Sequence, residues 1–265
     1  MKIGFIGAGN MGSALAKAAV KAENTEVFLF DKDVEKAKST AKEIGADYMS
    51  GSDIAAKCDY IFLAVKPNII PLAIDEMKDV LKGRVDCTLV SMAAGVSVAK
   101  IQSFLGEIKL PIIRIMPNTP AAIGKGMILW CANDLATDKA KEGFLKAMSE
   151  AGALDVIDEG KIDAASAVSG CGPAFVYMFI EALADGAVKC GLSREQAQKY
   201  AAQTVMGAAM MVKESKKHPG LLKDEVCSPG GTTIEGVIAL EEGAFRATAA
   251  SAVCAAYEKT LKLGK

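Results

Sequence analysis

With 265 residues, of which 51% are hydrophobic and 6% aromatic, the chain is long enough for one large or two medium domains. Its formal net charge of −1 gives no electrostatic reason to expect binding to nucleic acid or to an anionic membrane surface. The seven cysteines are scattered, odd in number and never spaced as C-x-x-C. This usage indicates buried thiols in a reducing compartment and argues against a disulfide framework or a zinc site.

A glycine-rich turn follows the first predicted strand, at residues 2–7. The turn consists of Gly7, Ala8, Gly9, Asn10, Met11 and Gly12, and a run with high helix propensity comes directly after it. Strand, G-x-G-x-x-G and helix form the context that dinucleotide binding requires. Gly7 would permit the tight turn, Gly9 would let the backbone approach the pyrophosphate, and Gly12 would let helix pack on strand. The alternative interpretation is a turn that serves packing alone.

Up to about residue 158, short apolar runs alternate with helical patterns. Strands are predicted at 2–7, 26–31, 60–65, 87–92, 111–115, 126–132 and 153–157. Helices are predicted between most of them, at 11–22, 33–44, 70–81, 97–105 and 138–150. The second strand ends in Asp31, about where an acidic residue would meet the adenine ribose of a dinucleotide. Because alternating β and α units imply a parallel sheet with helices on both faces, residues 1–158 are predicted to form an α/β, Rossmann-like domain.

Small or polar residues follow three of these strands. They are Ala64, Val65, Lys66 and Pro67; Ala93, Ala94 and Gly95; and Asn118 with its neighbours in 116–120. Ligands bind beyond the carboxyl ends of the strands in an open parallel sheet, so these segments are predicted to surround a cofactor crevice. The small residues at 93–95 would let a flat ring lie against the backbone. Lys66 would contact the ribose or phosphate of the cofactor, unless it is simply a solvated lysine at a loop start.

After residue 160 the strand pattern disappears and helical patterns continue to the end of the chain. Long helices are predicted at 161–190 and 193–215, and a helical hairpin at about 229–263, broken near Gly243. The segment 173–189 contains only three charged residues, so it must be buried nearly all round. A domain of about 105 residues is too small to bury such a helix alone, so we expect an intimate dimer. The predicted domains are therefore 1–158 and an all-α dimerisation domain at 159–265.

A decapeptide near the C-terminus, residues 227–236, reads Cys-Ser-Pro-Gly-Gly-Thr-Thr-Ile-Glu-Gly. Its small and polar residues cannot build a core, and an apolar helical pattern follows at once. A glycine-rich turn at a helix N-terminus favours an anion, because unpaired N–H groups point outward and the helix dipole attracts negative charge. The alternative interpretation is an ordinary N-cap, in which serine and threonine hydroxyls satisfy the first turn.

Six motifs along the chain together resemble those of the pyrroline-5-carboxylate reductase family. They are Gly7–Gly12, Ala64–Pro67, Ala93–Gly95, Pro117–Pro120, Ser169–Ala174 and Ser228–Thr233, in the family's order and over essentially the whole chain. The resemblance implies reduction of the cyclic imine 1-pyrroline-5-carboxylate to L-proline with NADPH, or with NADH. It also implies a Rossmann domain followed by a helical dimerisation domain, in a homodimer at least and often in a decamer.

The resemblance also implies roles for single residues. Backbone N–H groups of Gly230, Gly231 and Thr232 would hold the substrate carboxylate at the helix start. The Thr233 hydroxyl would contact the ring nitrogen and relay a proton, with helix capping as its alternative role. The cofactor supplies the hydride, and a protonated imine is already electrophilic, so neither a strong acid nor a metal is required.

Three positions bear on the choice of cofactor, and a fourth departs from the family pattern. Asp31 would favour NADH, whereas Lys32 and Lys36 could neutralise the 2′-phosphate of NADPH. Some relatives carry a glutamate two residues before the His-Pro pair, where this chain has Lys216, so that glutamate's substrate contact does not carry over. His218, the only histidine, is expected to lie at a helix end without a catalytic role.

Functions from other classes remain as alternatives. A related Rossmann-plus-helical reductase, such as a 3-hydroxyacid dehydrogenase, would use a lysine on the first interdomain helix. This stretch offers only Lys161 at its start and Lys189 at its far end. A dinucleotide-sensing scaffold protein would not need the second anion-binding loop.

A cytoplasmic, soluble protein is expected from two further observations. The first predicted strand begins at residue 2, which leaves no room for a targeting segment. The longest uncharged stretch, 164–180, is too short and too polar at its middle for a membrane span.

Overall fold

The structure, a computed structural model, describes residues 1–263, and within this range the chain forms one sheet of eight strands and twelve α-helices. The strands are β1 (Lys2–Ile6), β2 (Glu26–Phe30), β3 (Asp47–Tyr48), β4 (Tyr60–Leu63), β5 (Thr88–Ser91), β6 (Ile112–Met116), β7 (Gly126–Ala132) and β8 (Gly152–Val156). The helices are α1 (Asn10–Lys21), α2 (Val34–Ile44), α3 (Gly51–Lys57), α4 (Ile70–Leu81), α5 (Val98–Leu105), α6 (Asp138–Ala147), α7 (Glu159–Ser169), α8 (Gly172–Lys189), α9 (Arg194–Ser215), α10 (Pro219–Val226), α11 (Thr232–Glu242) and α12 (Phe245–Leu263).

The strands lie in the order β3-β2-β1-β4-β5-β6-β7-β8, and the seven strands predicted from the sequence are confirmed with small shifts at their ends. Neighbours pair in parallel, except that β6 and β7 run antiparallel. The predicted parallel sheet is therefore confirmed except at this pair. Residues 117–125 connect the two strands, and a parallel crossover needs about a dozen residues or more. The chain therefore turns back beside β6.

Helices cover both faces of the sheet, as alternating β and α units predict. On one face, Phe5 of β1 stacks on Phe62 of β4 with ring centroids 4.5 Å apart, and residues of α1, α2 and α6 complete this core. On the other face, Ile61 and Leu63 of β4 pack against residues of α3, α4 and α5. Because successive strand residues point to opposite faces, strands buried on both sides read as continuous apolar runs.

Two short elements within the first 158 residues were not predicted, β3 and α3. Pairing with β2 holds the two residues of β3 in place, so no local pattern marks this strand. Helix α3 did carry a signal, the S-x-x-D sequence of a capping box. The Ser50 hydroxyl accepts from the Asp53 N–H at 3.1 Å and donates to the Asp53 carboxylate at 2.6 Å.

The predicted continuous helix at 161–190 is wrong, because it is broken between α7 and α8 at Gly170 and Cys171. Both N–H groups at the break donate to the carbonyl oxygen of Ser166, at 2.7 and 3.3 Å, which closes the last turn of α7. Pro173 follows in the first turn of α8, where a missing N–H is tolerated. The hairpin predicted at 229–263 is confirmed as α11 and α12, whereas α10 was not predicted.

The chain separates into two compact units. The first consists of Met1–Cys171, which contains the sheet, together with the residues from Ala256 onward, and the second consists of Gly172–Ala255. Helix α7 belongs to the first unit, because Ile162 packs with Met116 and Leu129 of the sheet. The predicted boundary at 158/159 follows the change of secondary structure and stays a prediction.

The second unit has little interior of its own. Of the residues of α8, which the structure describes in full, only Ala184 is buried, and it packs with Ala197 and Ala201 of α9. Large apolar side chains on α8 are exposed, among them Tyr177 at 58% and Met178 at 69%. Burying the apolar faces of these helices therefore requires something outside this unit.

Candidate active site

The turn after β1 lies tightly against the end of β4. Gly7 has a φ of 113°, a conformation that favours glycine, and its N–H donates to the carbonyl oxygen of Phe30 at 2.7 Å. A Cβ at Gly7 would lie 2.5 Å from the carbonyl oxygen of Ala64, and one at Gly12 would lie 2.4 Å from that of Gly7. Both positions therefore require glycine, for the turn and for the packing of α1.

Gly9 lies on the open side of the same turn. A Cβ there would meet no described atom of the chain within 4 Å, and Gly9 is the N-cap of α1 without a side-chain cap. The first N–H groups of α1 have no partners within the helix, so they can receive an anion. This geometry leaves space where the fingerprint places a pyrophosphate.

A cavity of about 280 Å³ opens at the carboxyl ends of β1, β2 and β4. The strand order reverses between β1 and β4, which is where open α/β sheets bind ligands. The cavity is lined by Ile6, Gly7, Gly9, Phe30, Asp31, Lys32, Ala64, Val65, Lys66, Ile69, Leu72, Ala73 and Glu76. Residues from three separately predicted segments are thus brought together here. A larger hollow of about 840 Å³ lies at the amino ends of the strands, away from this crevice.

Asp31 has a structural role that its sequence position did not reveal. Its carboxylate accepts from the N–H of Ala8 at 2.8 Å and, through its other oxygen, from the N–H of Asp33 at 3.1 Å. The carboxylate therefore fixes the glycine turn to the end of β2. Its predicted contact with the adenine ribose stays a prediction.

Three charged side chains line the cavity beside Asp31. Lys32 follows β2 and Lys66 follows β4, as predicted, while Lys36 lies exposed in the first turn of α2. Glu76, from the middle of α4, is new at this site, and its carboxylate lies 3.8 Å from the Lys32 ammonium. No motif marks Glu76, because only the packing of α4 brings it to the crevice.

The segment Ala93–Gly95 lies beyond β5, and an acidic side chain from α7 binds the start of α5, shortly after this segment. Gly95 has a φ of 71°, and Val98 begins α5 three residues later. The Glu159 carboxylate accepts from the Val98 N–H at 2.7 Å and pairs with the buried guanidinium of Arg114 at 3.3 Å. The predicted contact of this segment with a flat ring stays a prediction.

Asn118 is buried, with 8% of its surface exposed, and its amide bonds two backbone groups. It donates to the carbonyl oxygen of Ser169 at 2.8 Å and accepts from the N–H of Met127 at 2.9 Å. The sequence placed Asn118 among the cofactor ligands. The geometry shows that its side chain links β7, the loop after β6 and the end of α7. Its predicted contact with the cofactor stays a prediction.

In the second unit, Ser228 to Gly231 form a tight turn that leads into α11. Pro229 occupies the second position and Gly230 the third, with a φ of 65°, as in a type II turn. The Gly231 N–H donates to the carbonyl oxygen of Ser228 at 3.0 Å. The prediction that this N–H is free for a substrate is therefore wrong, because the turn uses it.

Helix α11 begins at Thr232 and carries no side-chain cap, because its N-cap is Gly231. The helix-capping interpretation of Thr233 does not match this geometry, in which Thr233 follows the cap by two residues. The N–H groups of Thr232 and Thr233 lie in the first turn, where a helix offers no internal partner. His218 does cap a helix: its Nδ1 accepts from the Gly220 N–H at 3.1 Å at the start of α10, as predicted.

Two family models match successive parts of the chain. Residues 2–95 match the family model "NADP oxidoreductase coenzyme F420-dependent", and residues 159–263 match "Pyrroline-5-carboxylate reductase dimerisation". The fold and the glycine turn at its switch point thus define a Rossmann-type oxidoreductase with a helical dimerisation domain.

Relatives are similar over the whole chain. The pyrroline-5-carboxylate reductase of Escherichia coli (strain K12) is 42% identical, covering 100% of this chain and 98% of that protein. That of Arabidopsis thaliana is 39% identical, covering 100% and 96%. The crystal structure of Plasmodium falciparum pyrroline carboxylate reductase with NADP bound superposes with a TM-score of 0.89 at 36% identity, covering 100% and 98%. The chain belongs to the pyrroline-5-carboxylate reductase family, whose members are oxidoreductases acting on a C=N bond.

Proposed function

We propose that this protein reduces 1-pyrroline-5-carboxylate to L-proline with NADPH, using the crevice at β1 and β4 for the cofactor and the start of α11 for the substrate carboxylate. The observation that carries the proposal is the uncapped start of α11 after Gly231, in a chain of this family. An anion-binding turn in addition to the dinucleotide turn is what an anionic substrate requires.

The residues of the crevice fit a dinucleotide. A side chain at Gly9 would fill the space in front of the first turn of α1, so this space suits a pyrophosphate. Lys32 and Lys66 supply positive charge at the carboxyl ends of β2 and β4. Ala94 and Gly95, both partly exposed beyond β5, offer small residues to a flat ring, whereas Ala93 is buried. When bound, the cofactor supplies the hydride.

At the start of α11, the N–H groups of Thr232 and Thr233 hold the substrate carboxylate, aided by the helix dipole. Gly230, whose φ of 65° favours glycine, shapes the turn and leaves its surroundings open. As hydride transfer returns a lone pair to the ring nitrogen, the Thr233 hydroxyl donates a hydrogen bond to it and relays a proton from solvent to the product amine. Because a protonated imine already attracts a hydride, orientation and charge are the main contributions of the protein.

A second copy of this chain covers the exposed faces of α8 and α9. The dimerisation match spans 159–263, and exposed apolar side chains are concentrated in the same region. By length and composition alone, one stretch of the described residues, Glu159–Lys189, could cross a membrane, with a mean hydropathy of 1.4. A single stretch of this kind is weak evidence for a membrane span, and a dimer interface accounts for its hydropathy. Assembly of dimers into decamers is part of the same proposal.

A cytoplasmic location is also proposed. Each of the seven cysteines is free, and burial raises the pKa of the Cys58 thiol to about 12 and that of Cys131 to about 11. These two buried thiols stay protonated and behave as small apolar side chains. The prediction of buried thiols is wrong for Cys190 and Cys254, which are exposed, and free thiols at such positions suit a reducing compartment.

The decisive experiment mixes the purified protein with NADPH and pyrroline-5-carboxylate and follows the loss of absorbance of the reduced cofactor, with proline measured as product. The expected result is stoichiometric conversion. Turnover of a 3-hydroxyacid but not of the imine would favour a carbonyl reductase, and cofactor binding without turnover would favour a sensing scaffold.

A further inference from the structure

We propose that Glu76 sets how strongly this protein prefers NADPH over NADH, by pairing with Lys32 and competing with the 2′-phosphate for it. This inference rests on the proposed function, and it adds a residue that no dinucleotide motif marks.

The pair lies at the cavity beyond β1 and β4. The Lys32 ammonium and the Glu76 carboxylate are 3.8 Å apart, and their side chains are 65% and 50% exposed, so both are accessible to a ligand. Lys32 comes directly after Asp31, where a Rossmann fold meets the adenine ribose. A 2′-phosphate at that ribose would approach Lys32, which Glu76 already neutralises in part.

Asp31 is poorly suited to be the main discriminating group. Both of its carboxylate oxygens accept backbone N–H groups, those of Ala8 and Asp33, so the carboxylate is oriented by the turn. The Glu76 carboxylate is not oriented in this way, because its ion-pair partner among residues 1–263 is Lys32.

The expected effect follows from the charges. NADPH carries a 2′-phosphate with a charge close to −2 at neutral pH, whereas NADH carries a hydroxyl there. Glu76 therefore opposes NADPH and leaves NADH almost unaffected. Interactions between exposed charges are weak and screened by salt, so we expect a change of about three- to tenfold at low ionic strength.

The test compares two probes of the adenosine end, adenosine 2′,5′-bisphosphate and 5′-AMP, by titration calorimetry on the full-length protein. Glu76→Gln should tighten binding of the bisphosphate about three- to tenfold and leave 5′-AMP unchanged within about twofold. In the reductase assay, the KM for NADPH should fall to the same degree, while kcat and the KM for NADH stay constant. No change, or equal changes for both probes, would overturn the proposal.

Two further variants sharpen the test. Asp75→Asn removes the same charge from the neighbouring, exposed position of α4, outside the cavity lining, and should change neither affinity. In a Lys32→Gln background, Glu76→Gln should have little remaining effect, because the competition for Lys32 is gone. An effect of equal size in both backgrounds would show that Glu76 does not act through Lys32.

The calorimetry needs no substrate, so its outcome is independent of the proposed reaction. If imine reduction fails with both cofactors while the probes still separate as expected, the proposed function is wrong and the role of Glu76 stands. If reduction proceeds and Glu76→Gln does not change the ratio of the two probe affinities, the proposed function stands and the role of Glu76 is wrong.

Discussion

The Asn118 amide donates a hydrogen bond of 2.8 Å to the carbonyl oxygen of Ser169, and this bond ties the loop after β6 to the last residue of α7. In a continuous helix that carbonyl would accept from the N–H four residues later. The residue at that position is Pro173, which has no N–H. Asn118 supplies the missing donor, so a proline that breaks one helix is matched by a buried amide from the sheet domain.

We expect Asn118→Ala to lower the free energy of unfolding by about 1 to 3 kcal/mol, because it leaves the partly buried Ser169 carbonyl and Met127 N–H without their partners. Urea denaturation measures this loss. The control, Asn68→Ala, changes an exposed asparagine and should leave stability unaltered. Unchanged stability with weaker NADPH binding in Asn118→Ala would instead make this residue a cofactor ligand.

Substitution of two glycines of the same turn, Gly9 and Gly12, should have different effects. Gly9→Val should fold normally, because its Cβ meets open space, and should bind NADPH at least about tenfold more weakly because the side chain fills the pyrophosphate position. Gly12→Val should instead lose stability, since its Cβ would lie 2.4 Å from the Gly7 carbonyl oxygen. Thermal melting and fluorescence titration with NADPH separate the two effects. Wild-type affinity in Gly9→Val would remove this turn from the cofactor site.

Thr233→Ala should raise the activation free energy by up to about 2 kcal/mol, because it removes a donor to the ring nitrogen. This increase corresponds to a loss of kcat of up to roughly thirtyfold. The loss stays at the low end since solvent can protonate a basic amine without help. Thr233→Ser should restore most of the activity. The melting temperature of Thr233→Ala should stay near that of the wild type, because α11 has no side-chain cap. Equal kcat for the Ala and Ser variants at saturating substrate would show that the hydroxyl is not catalytic.

The assembly should depend on the exposed apolar face of α8. The wild-type protein is expected to be at least a dimer at micromolar concentration, and Met178→Glu should dissociate it by placing a charge in the interface. Val85→Glu changes an even more exposed apolar residue, at 88%, in the sheet domain, and should leave the dimer intact. Light scattering measures both. A stable, active wild-type monomer would contradict this prediction.

Much of the fold and part of the site follow from local chemistry that the sequence displays. The strand and helix periods gave seven of the eight strands described in residues 1–263, and Gly7 and Gly12 occupy positions where a turn and a close packing contact admit only glycine. The turn before α11 is equally predictable from the sequence, because the residues Ser-Pro-Gly-Gly favour a turn in any surroundings. The break at Gly170 is hidden by the apolar period on either side of it, although Pro173 is a residue that favours the first turn of a new helix.

The tertiary structure alone decided which groups are left free at the site. Asp31 was predicted to face the ribose, yet its oxygens accept from Ala8, 23 residues away, and from Asp33. Asn118 was predicted as a cofactor ligand, yet its partner Ser169 lies 51 residues later. Glu76 approaches Lys32 only because folding brings α4 and the end of β2 to the same cavity. A sequence displays the donors, acceptors and charges of each residue. Which of these groups are already paired depends on the distances that folding sets between remote segments. Only the fold therefore determines which groups remain available to a ligand.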